Sequence, residues 1–165
     1  MIGGAVARIE KDSFSYAIMN AADRANDFLG VVRDRCNASG IGLSMAPATT
    51  KWNGGDIVMR ADLKYGNAWK GVVQYQLDVY ATPQGPVLNV GWQLTTMDMK
   101  FSFYGGSSMD MAHQMQRARI EGDPNTIRDL DSKLQAFQMA VFLPTVQQLA
   151  QAVGGLPQQP GFMGA

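Results

Sequence analysis

The chain has one cysteine and one histidine in 165 residues. Cys36 has no partner for an internal disulfide, so the fold must rest on its own core, and a reducing, cytoplasmic setting is expected. With no second histidine, no serine in a strand-to-helix elbow and no glycine-rich phosphate loop, no catalytic mechanism can be nominated, and the weight is against an enzyme. The Gly-Gly pairs at 54, 105 and 154 have none of the nucleotide-binding spacings and read as punctuation. No cofactor is expected.

Long apolar runs are missing too. Nothing approaches the roughly 18 residues of a spanning helix. Met1 to Asp12 is Gly/Ala-rich and soon charged, unlike a secretory leader, so the Asn37-Ala38-Ser39 glycosylation pattern lacks its context. Fourteen basic and fourteen acidic side chains cancel, which removes the electrostatic footprint of a phosphate-backbone binder and argues against nucleic acid. Glutamate occurs only as Glu10 and Glu121, and from Leu134 to Ala165 there is neither a charged residue nor a histidine.

What is present is alternation. Ile57, Met59, Ala61 and Leu63 alternate with more polar neighbours, as do Val73, Tyr75, Leu77 and Val79, then Leu88, Val90, Trp92 and Leu94. A two-residue period means strands with one face buried and one wet, hence an antiparallel sheet covered on one side. Buried positions are odd-numbered in the second run and even-numbered in the third, so their loop must have even length. Thr82-Pro83-Gln84-Gly85 would serve, pairing Val79 with Leu88 and Tyr75 with Trp92. The first two runs share odd parity, so the loop near Gly66-Asn67-Ala68 must have odd length. The apolar phase changes after Leu94, which predicts a bulge or tight corner at Thr95-Thr96.

Helices are expected on either side. Phe14, Ile18, Ala21, Ala25, Phe28, Leu29, Val32 and Cys36 recur at three- and four-residue steps. They predict a helix from about Phe14 to Gly40, capped by Asp12 or Ser13 and about 38 Å long. Gly40 suits a left-handed stop. Ile41, Leu43 and Met45 suggest a weak strand ending at Pro47. A short helix is read from Ser107 or Ser108 to Ile120, and a long one from about Thr126 to Val153, kinked by Pro144. The fold class is therefore α+β: an antiparallel meander of four to five strands, with an N-terminal helix and two C-terminal helices covering one face. Residues 1–12 read as an N-terminal extension, 13–153 as a single domain and 154–165 as a flexible Gly/Pro/Gln tail.

Three sets of residues could carry function. A solvent-facing helix normally opposes its apolar stripe with Lys, Glu or Arg. The uncharged C-terminal segment therefore suggests an interface through Phe137, Met139, Phe142, Leu143, Val146, Leu149 and Phe162, with another copy or a protein partner. An interaction or assembly protein is the leading expectation. The alternative is a carrier of a small hydrophobic ligand held between sheet and helices by Met59, Tyr75, Leu77, Trp92, Met99 and Phe103. Third, Met109 and His113 are i, i+4 neighbours with the soft donors copper(I) prefers, but the matching pair Met111 and Met115 points about 160° away. Methionine filling of the core is the simpler account of that segment. Cys36, on the apolar stripe, is expected to be buried and inert. The aspartates among the strands are expected to pair with Arg60, Lys64 and Lys100 across a wet sheet face.

Overall fold

The computed structural model describes residues 4–67, 71–101, 119–154 and 157–158 of the chain. Its strands are β1 (Gly4–Met19), β2 (Ala46–Thr49), β3 (Ile57–Asn67), β4 (Gly71–Gln84), β5 (Val87–Phe101) and the two-residue β6 (Pro157–Gln158). They form one sheet in the order β2-β3-β4-β5-β1-β6, with every neighbouring pair antiparallel. The helices are α1 (Ala25–Ala38), α2 (Pro124–Phe137) and α3 (Leu143–Val153). This is the expected α+β class, an antiparallel sheet with one N-terminal helix and two joined C-terminal helices; α2 and α3 together occupy the span expected as one long helix, and the short helix expected from Ser107 or Ser108 to Ile120 lies almost wholly outside the described residues. Among the described residues, no helix is long and apolar enough to cross a membrane.

The alternation in β3, β4 and β5 sorts side chains as the period demands. Ala61, Leu77, Val79, Leu88 and Val90 are fully buried on the core face, while on the other face Asp62 and Lys64 are exposed but Val58, Gln76, Asp78 and Thr95 are buried as well. Parity also holds: β3 and β4 are joined by three residues between Asn67 and Gly71, an odd loop, and β4 and β5 by an even one. The even loop is the two-residue Gly85-Pro86, with Gly85 at φ 61°, so Gln84 faces Val87 and the register moves on. Val79 pairs with Trp92 and Tyr75 with Thr96, in place of the expected Leu88 and Trp92. Pro83 sits inside β4 opposite Leu88 because β3 pairs with β4 only as far as Val79, which leaves one side of the strand at Pro83 without a ladder to break.

The N-terminal region differs most from expectation. Gly4–Met19, read as an extension and the first turns of a helix, is the long strand β1, and α1 begins only at Ala25. Phe14, Tyr16 and Ile18 pair with Trp92, Val90 and Leu88, so they join the core face. The bulge expected at Thr95-Thr96 lies across the ladder instead: β5 runs through both threonines without a shift, and β1 slips one residue between Glu10 and Asp12 opposite them. α1 ends as expected before Gly40, which has φ 73°.

Pro144 does not break the C-terminal helix. Between α2 and α3, Gln138–Phe142 forms a π-helical turn in which the Leu143 N–H donates to the carbonyl of Gln138. Widening the coil by one residue relieves the clash a proline makes with the carbonyl four residues back. Thr145 Oγ1 donates to the Val141 carbonyl at 2.7 Å, giving it a further partner. The wide turn also directs packing. Phe137 and Phe142, five residues apart, would point about 140° away from each other on a regular α-helix, yet both are fully buried. Phe142 then touches three elements, with ring centroids 5.9 Å from Phe28 of α1, 6.2 Å from Tyr16 of β1 and 6.4 Å from Phe137 of α2. The described core is contiguous, running from Phe28 and Val32 through the sheet to Val146 and Leu149.

Candidate functional site

The C-terminal helices are pinned to the rest of the molecule at three places. Trp92 Nε1 donates to Gln138 Oε1 at 2.7 Å, which fixes the start of the π turn over β5. Arg35 of α1 donates through NH1 to Thr145 Oγ1 at 3.1 Å and through NH2 to Gln148 Oε1. Tyr65 of β3 donates its hydroxyl to Asp129 Oδ2 at 2.7 Å, and Lys133 Nζ lies 3.1 Å from the same oxygen. Burial, then the Asp129 carboxylate, push the Tyr65 phenol well above its ordinary range; the Tyr65 and Lys133 contacts hold Asp129 below the usual carboxylate range.

These anchors decide which interface candidates are free. Phe137, Phe142, Val146 and Leu149 face inward at 9% exposure or less and belong to the chain's own core. Leu143 is half-buried, and Met139 is 62% exposed. Phe162 lies outside the described residues. What remains outward along the π turn and α3 is Met139, Ala140, Gln147, Gln148, Gln151 and Ala152. None of these six side chains is charged, although Arg35 of α1 reaches Gln148 and Arg24 and Asp27 border Gln148 and Ala152.

The ligand-carrier residues are placed differently. Met59, Tyr75, Leu77 and Trp92 all lie in the contiguous core at 6% exposure or less. Met99 belongs to β5 opposite Val6, with its side chain outside the described residues, as is the whole of Phe103. Met109 and His113 also fall outside them. Among the described residues, no group of three or more His, Cys, Asp or Glu could hold a metal. Cys36 is 1% exposed, and burial pushes its thiol up to about 11. It is a core residue without thiolate chemistry near neutral pH.

On the polar face of the sheet, expected to be wet but buried here at Val58, Gln76, Asp78 and Thr95, Arg60 and Asp78 are direct cross-strand partners. Arg60 Nε and NH2 donate to the two oxygens of Asp78 at 2.7 and 3.1 Å, and Trp52 Nε1 donates to Oδ2 at 3.2 Å. Asp78 is fully buried and Arg60 carries the exposed end. The Trp52 ring meets Tyr80 edge-on at 5.6 Å, and Tyr80 in turn crosses Gly91, where a β-carbon would overlap the phenol and the Phe14 carbonyl. A carboxylate so fully committed to a guanidinium and an indole is a clasp for the 3-10 turn Lys51–Asn53, with no free proton-transfer role.

At the other edge of the core face, a cleft of about 250 Å³ opens between β1 and α2. Asp12 and Phe14, two residues apart on β1, form one wall with Trp92 below. Asp131, Leu134, Gln135 and Gln138, spaced i, i+3, i+4 and i+7, form the other. Phe14 and Trp92 stack with centroids 6.3 Å apart and planes at 14°. Sequence reasoning missed this cleft because Phe14 was assigned to a helix; two-residue spacing in Phe14, Tyr16 and Ile18 was the available signal.

No protein-family model matches the chain. A search of curated proteins finds no match either.

Proposed function

We propose that the chain is a non-enzymatic interaction protein that self-associates through the outward strip of its C-terminal helices, Met139 to Ala152. The observation that carries this reading is the uncharged strip itself. An exposed helix face without Lys, Arg, Asp or Glu is unusual on a surface meant for water, and depletion of charge is what the centre of a protein interface shows. Met139, the most exposed large apolar side chain in the described residues, stands at its head. Methionine adapts to an opposing surface at small cost in shape. The anchors at Gln138, Thr145 and Asp129 keep the strip rigid, which lowers the ordering cost of association.

Sedimentation velocity or light scattering over a range of concentrations tests this reading on the full chain. A mass that rises with concentration in the wild type, and stays monomeric in Met139→Lys/Gln147→Lys, is the expected result. A wild type that remains monomeric to several hundred micromolar, or a double variant that assembles as the wild type does, overturns it.

A further inference from the structure

We propose that the cleft between β1 and α2 binds a small organic cation, an ammonium group carrying apolar substituents, over the Phe14 ring with the carboxylates of Asp12 and Asp131 at its rim. The inference is independent of the assembly reading and uses different residues.

Charge and shape point the same way. Neither carboxylate has a basic partner among the described residues: Asp12 accepts only the backbone N–H of Ser13 at 2.8 Å, and Asp131 is in no ion pair. Other acidic groups nearby are used, since Asp129 of the same helix is held by Lys133 and Tyr65. Arg128, one turn before Asp131, makes no ion pair with it. Two aspartates from separate elements thus converge on one cleft, and among the described residues that line it there is no lysine or arginine.

The floor selects the kind of cation. Phe14 is partly exposed and lines the cleft beside Trp92, which is only 4% exposed and has its indole N–H committed to Gln138. The Phe14 ring stacks on Trp92 and meets Tyr16 at a tilt, with centroids 5.3 Å apart, so the cleft carries an aromatic wall. A ring face attracts a weakly hydrated cation and offers nothing to a strongly hydrated one. Calcium and magnesium need about six or more oxygens, and the described residues supply no cluster of acidic ligands to provide them. An ammonium with methyl or methylene substituents satisfies both surfaces, apolar against Phe14 and positive toward the aspartates. The cleft, about 250 Å³ and open to solvent, has room for a small substituted ammonium group.

Titration of full-length protein with tetramethylammonium chloride, followed by NMR at constant ionic strength, tests the proposal. The chain has three tryptophans, and loss of one indole resonance in Trp92→Phe assigns the reporter. The expected result is a saturable shift of the Trp92 indole N–H, with sodium chloride and the neutral tert-butanol giving none. Asp131→Asn and Asp12→Asn should each weaken binding about fivefold and the pair more than tenfold. Both positions are exposed, so folding is preserved, and Asp27→Asn on α1 is the control expected to change nothing. A shift that does not saturate, that calcium chloride reproduces, or that survives in the double variant overturns the proposal.

Discussion

Arg60 and Asp78 face each other across β3 and β4 with two hydrogen bonds of 2.7 and 3.1 Å, and the carboxylate is completely buried while the guanidinium reaches solvent. The pair is asymmetric in consequence. Arg60→Ala leaves a buried charge without its guanidinium, and the expected cost is about 3 kcal/mol or more in a urea titration. Replacing both by similar-sized apolar groups, Arg60→Met/Asp78→Leu, should cost clearly less than the two single changes added together. Additive costs would show that the pair does not act as one unit.

Phe142 and Met139 lie three residues apart in the π turn and face opposite ways. Removing the Phe142 ring opens a void where α1, β1 and α2 meet, so Phe142→Ala should cost about 3–5 kcal/mol. Met139→Ser, at an exposed position, should change stability by less than about 0.5 kcal/mol. Chemical denaturation of both at one protein concentration, low enough to keep the chain monomeric, makes the comparison. Equal losses would contradict the inward and outward assignments.

Cys36 gives a pH prediction. Its thiol is pushed from an ordinary 9.0 up to about 11 by burial, so between those values the unfolded chain loses a proton that the folded chain retains. The sign follows: this group's contribution to stability is full below about pH 9 and falls as pH rises toward 11. At pH 8 an aromatic disulfide reagent should titrate close to no thiol in the native protein and one per chain in guanidinium chloride. Fast native reaction at pH 8 would mean that the side chain is not where the structure puts it.

The legible parts of the fold share one property, an unambiguous period. In β3, β4 and β5 alternation extends over several side chains with polar residues between, and only a strand satisfies it. Phe14 to Ile18 was misread because a four-residue step belongs to both patterns: Phe14 and Ile18 share a face of a strand at period two and of a helix at one turn. Ala21, Ala25 and Phe28 continued the helical spacing and drew its start backwards. For the candidate sites, the sequence marked the uncharged C-terminal segment, but it did not separate Met139 from Phe137 and Phe142. That sorting depends on the π turn, which a regular helical wheel does not contain.

By itself, the sequence determined the fold class, the parity of the strand loops, the stop at Gly40 and the burial of Cys36, because each follows from local periodicity or from a single residue's backbone and solvation preferences. Tertiary structure alone decided the register of β4 against β5, since loops of two and four residues satisfy the same parity. It also decided the position of the bulge in β1, the inward rotation of Phe142, the burial of Asp78 beneath Trp52, and the meeting of Asp12 with Asp131 across the cleft. Each of these depends on which distant segments come to lie side by side, and local sequence patterns do not encode that.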